Sequence, residues 1–305
     1  MKKTILLLAL AFLGLNITNA QVGIGTTNPD ASAALDVDVT SLTDKKGFLP
    51  PRMTETERDN ITSPATGLTI YNTDANCVEF WGGYGWTSLC ANVEAGDVLN
   101  SQTGKIWMDR NLGASKVASS YNDVDAYGGF YQWGRGTDGH QLRSLDCTTS
   151  DCFDADGNKN NLPPTAADVT NTTWDGKFIY NIGFSPRDWH QDNPDVTLWQ
   201  GVNGTNNPCP NGYRVPTEAE INTERLSWSS NNSAGAFNSP LKWTAGGRRL
   251  FTSGSINSDT GGYYWTSTVS GDDNRASQAF RILSSSFDFY NEWRAMGNCI
   301  RCIKD

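Results

Sequence analysis

Histidine is nearly missing from this sequence of 305 residues: His140 and His190 stand alone beside 11 Trp, 10 Tyr and 12 Phe. Both lie in polar loop text with no spaced partner, so a solvent-exposed or structural histidine is the default reading, not a catalytic one. Long apolar runs are scarce too. The run from Thr4 to Leu15 is shorter than the roughly 20 residues that cross a bilayer, and no later segment is apolar enough to span. With Lys2 and Lys3 ahead of it and Thr18-Asn19-Ala20 behind it, residues 1–20 have the layout of an export signal cleaved before Gln21. No Cys just after that point suggests a lipid anchor, so a secreted or outer-surface location is expected. Positive charge is also short. Removing Lys2 and Lys3 leaves 22 Lys+Arg against 33 Asp+Glu, a net charge of −11. No basic patch offsets it, which excludes nucleic acid as the expected partner.

What is present is cysteine, glycine and tryptophan. Seven Cys in an exported chain imply disulfides, and the odd number leaves one thiol unpaired or joined to another chain. Charged residues make up only 19% against 30 Gly, which favours short strands and many turns over long helices.

The chain divides at residues 91–95, a plausible linker. Before it, residues 21–90 read as a β-rich stalk or spacer. Gly23-Ile24-Gly25-Thr26-Thr27-Asn28-Pro29 is turn-forming, and Ala34-Leu35-Asp36-Val37-Asp38-Val39 alternates as an exposed strand does. Thr54 and Glu57 form a capping box for a short helix through Ile61. Leu68-Thr69-Ile70-Tyr71-Asn72 is a strand. Residues 77–81 and 86–90 flank the turn Gly82-Gly83-Tyr84-Gly85. If Trp81 pairs with Trp86, Cys77 falls opposite Cys90, close enough to bridge. After the linker come strands near Val98-Leu99, Ile106-Trp107-Met108, Tyr263-Tyr264-Trp265-Thr266, 279–283 and 299–303. Residues 123–133 hold a short helix or an aromatic loop, and 144–208 read mostly as long loops, one clipped by Cys147 and Cys152. Thr217 and Glu220 cap a helix running to about Leu226.

Several of these stretches resemble one family. Gly104-Lys105-Ile106-Trp107-Met108-Asp109-Arg110-Asn111-Leu112-Gly113, then Tyr127 and Tyr131-Gln132-Trp133-Gly134-Arg135, is similar to the opening of the Fibrobacter succinogenes major paralogous domain. So is Asn207-Pro208-Cys209-Pro210-Asn211-Gly212-Tyr213-Arg214-Val215-Pro216-Thr217-Glu218-Ala219-Glu220. Tyr263-Tyr264-Trp265-Thr266-Ser267-Thr268, Arg294-Ala295 and Ile300-Arg301-Cys302-Ile303-Lys304-Asp305 resemble its ending. The resemblance spans 96–305 and implies an α+β, C-type-lectin-like domain whose termini meet in one sheet, with Cys209 bridged to Cys302. Cys299 departs from the family's usual ending and is the candidate for the odd thiol. Residues 21–90 are similar to amino-terminal modules of exported Bacteroidetes proteins. Their Gly-Ile-Gly-Thr-Thr-x-Pro opening also resembles trimeric phage-fibre and adhesin stalks, which implies a homo-trimer through this module.

Chemistry has few candidates. Cys299-Ile300-Arg301-Cys302 has redox-type spacing, but period two sends the two thiols to opposite faces of a terminal strand, against both a dithiol and a chelate. The residues from Gly212 to Glu220 also resemble formylglycine-generating enzymes, which use a cysteine pair with copper. Their cysteine-rich catalytic text is missing here, so no catalytic residue is carried over and no enzyme is expected. Asp154, Asp156, Asn158 and Asn160 offer oxygens suited to calcium, but Gly157 is misplaced for an EF-hand, and a solvated polar loop is the favoured reading.

Binding is the better expectation. Phe280 and Ile282 alternate inward, which leaves Arg281 and Leu283 pointing out. Phe287, Phe289, Tyr290, Glu292 and Trp293 follow in a short loop opened by Ser284-Ser285-Ser286. Large aromatics on an exposed loop bury much area for few frozen rotors, though about half would fill the core. The ligand would be a cell-surface or host protein, or a glycan. The resemblance adds that in some bacteria lectin-like domains with this kind of ending are targets of diversity-generating retroelements, which vary residues just before the last strand, and the mixed aromatic run here suits such a variable region. The expected function is therefore non-covalent recognition by an exported surface protein. The alternative is a structural surface or fibre component that self-associates without an external ligand, and a copper enzyme comes third.

Overall fold

The computed structural model describes residues 21–90, 93–183, 187–191, 195–257, 261–271 and 276–305. The expected export signal at 1–20 and the first two linker residues lie outside the described residues. Strands take up 26% of the chain and helices 11%, so the fold is mixed and mainly β.

The chain begins with a two-stranded parallel ribbon, Val22–Ile24 against Leu35–Val37. Gly25 lets it turn: its φ of +82° is left-handed backbone that disfavours a side chain, and Asp38 O lies where a Cβ would stand. No residue from 21 to 50 is buried. A compact four-stranded sheet follows, in the order Arg52–Met53, Thr69–Asn72, Cys77–Trp81, Trp86–Ser88. Trp81 pairs with Trp86, and the expected Cys77–Cys90 disulfide closes the hairpin with a Cα–Cα distance of 5.9 Å. The Thr54–Glu57 capping box is present. Its helix, Glu55–Asp59, ends earlier than expected because Ile61 N–H closes a tighter turn on Arg58 O at 3.1 Å.

The hairpin at 77–88 rests on the turn at 101–104: Tyr84 N–H donates to Gln102 O at 3.0 Å, and Thr87 Oγ1 donates to Ser101 O at 2.8 Å. Gly104, at φ +72°, approaches the Trp86 carbonyl so closely that a Cβ would collide with it. Just before the turn, Asn100 Nδ2 ties it to helix Glu218–Leu226 through Glu224 Oε2 at 2.7 Å. That helix starts on the expected capping box of Thr217 and Glu220 and keeps the expected end.

In the rest of the chain, both ends of residues 96–305 meet in one sheet: Tyr213–Arg214, Ile303–Lys304, Lys105–Met108, Asp97–Asn100. A second sheet joins Ile256–Asn257, Arg248–Arg249, Gly297–Asn298 and Tyr131–Gln132. A third is an antiparallel meander of Gly262–Val269, Ala276–Ile282 and Phe287–Trp293. The strand expected over 299–303 is broken: Gly297–Asn298 and Ile303–Lys304 pair in different sheets, and the chain crosses between them. Disulfides join Cys147 to Cys152 and Cys209 to Cys302, and Cys299 is the free, buried thiol.

The meander separates two cores. One holds Trp133, Trp189, Trp199, Trp265 and Ile300, and the other Trp107, Trp243, Tyr264, Phe280 and Ile282. Residues 144–208 contribute more than loops. Phe178, Ile179, Leu198 and Trp199 are buried, and Cys152–Asp154 pairs parallel with Phe178–Tyr180. Their apolar residues lack helix or strand period because irregular chain delivers them singly to the core.

Candidate interaction surfaces

The motif residues that carry the resemblance meet inside the molecule, where they hold backbone to backbone. Trp265 Nε1 donates to Tyr131 O at 2.7 Å, and Trp133 Nε1 donates back to Thr266 O at 2.8 Å. Two aromatic motifs distant in sequence are thus stitched by reciprocal bonds. Asn111 Nδ2 reaches Tyr127 O, Thr244 Oγ1 and Tyr264 Oη at 3.0–3.1 Å, while its Oδ1 accepts from Arg301 at 2.9 Å. Gln132 Nε2 donates to Ile179 O and Ala295 O. Buried polar groups need such partners, which explains why so many polar residues of these motifs sit in the interior.

Of the two default readings for the histidines, solvent-exposed or structural, burial of both excludes the first. His140 is fully buried, with Nδ1 2.5 Å from Asp138 Oδ1, two residues away, and Nε2 accepting Gln132 N–H at 3.0 Å. Burial and then the charge of Arg135 hold its pKa down to about 4, so it is neutral and structural near neutrality. His190 is also buried, 3.6 Å from Asp188. An i,i−2 carboxylate is an unobtrusive partner in sequence, and the tight turn at 138–140 makes it an effective one.

The thiols at Cys299 and Cys302 do not form a pair, since Cys302 is bonded to Cys209. Cys299 packs in the opposite core from Cys302, and burial pushes its pKa up to about 11. In the calcium candidate, Asp154 is engaged locally: it accepts from Asp156 N, Asn181 Nδ2 and Tyr180 Oη. Asn158 caps its own turn through Asn160 N. Among the described residues no group of three or more His, Cys, Asp or Glu gathers, and no helix there is long and apolar enough to cross a membrane.

The late segment is a strand where a loop was expected. Leu283 N–H bonds Ser286 O at 2.8 Å, so the serines make a tight turn and Phe287–Trp293 pairs with Ala276–Ile282 along its whole length. Phe287 lies opposite Ile282 and Phe289 opposite Phe280, and both phenylalanines pack into the core around Trp228 and Trp243. Tyr290 and Trp293 pack against the other core, and Arg187 covers Trp293 at 5.3 Å. Glu292 is buried and paired with Arg248 at 3.0 Å, with burial raising its pKa. The aromatics anchor the hairpin in place.

What faces solvent at the tip is polar. Arg281 pairs with Asp288 at 3.3 Å, both side chains nearly half exposed, and Gln278 bonds Asn291 at 2.8 Å. Leu283 is half-buried beside the turn. Phe289 also lines a cleft of about 440 Å³ with Thr217, Glu218, Ala219, Asn222 and Thr268 at the start of the helix. The structure therefore leaves Arg281 exposed and Leu283 half-buried beside the turn, sets Phe289 on the opposite face of the meander against the core around Trp243, and places Glu292 inside. Asp288, Gln278 and Asn291 are the accessible residues that the sequence reading missed. Asp288 stands directly across from outward Arg281 once the hairpin is closed, whereas Gln278 and Asn291 pair with each other on the face of Phe280 and Phe289, where period two gives no outward signal.

The amino-terminal part has a relative. Residues 23–104 match the family model described as a phage tail like trimerisation region, which ends within the turn that carries the hairpin at 77–88. No curated protein and no solved structure matches the chain.

Proposed function

We propose that the chain is one subunit of an exported homo-trimeric, fibre-like surface component. In this reading residues 23–104 assemble it and the remainder is its terminal domain, of C-type-lectin-like kind. The carrying observation is the match of residues 23–104 to a trimerisation region. Within that region the hairpin at 77–88 docks on the turn at 101–104, and Asn100 ties this turn to Glu224 of the large domain, which supports the reading because assembly would then fix where each large domain stands. Its function is assembly and presentation, with no covalent step. Cross-linking the mature chain with a short amine-reactive reagent should give a ladder that stops at three chains; a single-chain band at every concentration would remove the reading.

A second reading adds recognition to assembly. The accessible Arg281–Asp288 pair beside the tight turn is a small polar surface suited to a protein or glycan ligand. Retroelement-driven variation belongs to this reading and would fall on the accessible positions 278, 281, 288 and 291. The test is an array of glycans and cell-surface proteins probed with wild type and Arg281→Ala/Asp288→Ala. Binding lost in the variant supports the tip as the site, and binding retained removes it.

A further inference from the structure

The first thirty residues of the described chain form structure without any interior. Strands Val22–Ile24 and Leu35–Val37 are in register, Val22 beside Leu35 and Ile24 beside Val37. Period two then puts these four apolar side chains on one face and Gly23 and Asp36 on the other. All four are exposed, Val22 and Ile24 to 54%, and Leu42, Phe48 and Leu49 extend the exposed apolar series. A two-stranded ribbon that buries nothing is not stable by itself in water.

The polar groups of the segment are satisfied within it. Asp36 accepts from Asp30 N, Asp38 accepts from Thr40 N, and Lys45 Nζ donates to Val39 O and Thr40 O. Backbone bonds Val22 N to Ala34 O and Asp38 N to Ile24 O close the motif. What remains unmatched is apolar surface, which marks an interaction face.

We propose that this face is covered by the same face of two further copies of the chain, and that Val22, Ile24, Leu35 and Val37 form the central layer of a threefold core. The inference rests on the trimeric reading above and narrows it. Residues 21–50, which lie within the matched region from Gly23 on, are the associating element. The sheet at 52–88 has its own buried residues and disulfide, and serves as the collar that passes assembly to the large domain. The occupant follows from the matched family, whose description is trimerisation, and from the clustering of apolar exposure: six of the nine exposed large apolar side chains in the matched residues lie between Ile24 and Leu49, the other three being Tyr84, Leu89 and Val93.

Sedimentation velocity on the mature chain tests this with Ile24→Asp/Val37→Asp, and with Val124→Asp as a control at an exposed apolar position of the large domain. The expected result is a three-chain particle for wild type and control. The double variant should fall to one third of that mass, with its near-ultraviolet tryptophan dichroism unchanged. A double variant that keeps the three-chain mass overturns the proposed face and leaves the trimer standing, whereas a folded wild type of single-chain mass overturns both. Dissociation of the control would also overturn the face. Hydrogen exchange on the unmodified protein decides independently of any variant's folding. Amides at 22–38 should be protected in the assembled state and lose protection on dilution; free exchange within an intact trimer contradicts the proposal.

Discussion

Asn111 lies where three distant parts of the chain meet, donating to Tyr127 O, Thr244 and Tyr264 while accepting from Arg301. Replacing it with alanine leaves Arg301 Nε and Nη2 without their acceptor, while Nη1 keeps Leu241 O, and takes the donor from three oxygens, so N111A should cost on the order of 3 kcal/mol in urea unfolding. His140 gives a pH signature. Its pKa is about 4 in the fold against about 6.5 unfolded, so the unfolded chain binds the proton first as pH falls. Its contribution is complete above about pH 6.5 and is lost progressively toward pH 4. Wild type should therefore lose Tm across that window, and His140→Gln should show a flatter profile from a lower starting point. A parallel profile would show that another group sets the slope. Neither residue's role was legible in the sequence. Asn111 looked like one letter of a motif, and His140 stood in polar loop text that left exposed and structural readings open, because their partners come from chain far away or from a turn with no periodic signal.

The late hairpin separates what aromatics do from what faces outward. Arg281→Ala/Asp288→Ala removes an exposed pair and should change stability by no more than about 0.5 kcal/mol. Phe287→Ala uncovers the core beside Trp228 and Phe280 and should cost about 2–3 kcal/mol, less than a fully buried Phe. Disulfides should rank by the chain they close. Removing Cys209–Cys302, which spans 93 residues, should cost about 4–5 kcal/mol, against about 3 kcal/mol for Cys77–Cys90. Much at this scale was readable. Both capping boxes, the Trp81–Trp86 register and the disulfide opposite it follow from short-range rules that tertiary packing did not override. The aromatic run was misread because three serines suggest a loop, whereas here they close a tight turn, and only the cross-strand partners reveal which side each residue faces.

Over the whole molecule, the amino-terminal ribbon has apolar surface and no core, while the collar is locked to the large domain through the turn at 101–104. Threefold closure around parallel ribbons would set three hairpin tips at the same end of the particle. Weak single-site recognition would then be strengthened by avidity, provided the ligand repeats at matching spacing. The sequence hinted at this in its Gly-Ile-Gly-Thr-Thr-x-Pro opening, but the alternating strand at 34–39 reads equally well as a solvated edge. Only the exposure of Val22, Ile24, Leu35 and Val37 together identifies a face that needs a partner. The most direct test of the account is the equilibrium mass of the mature chain in solution, measured by sedimentation over a wide concentration range. The account predicts three times the single-chain mass at all but the lowest concentrations; a folded chain that stays at single-chain mass throughout would contradict it.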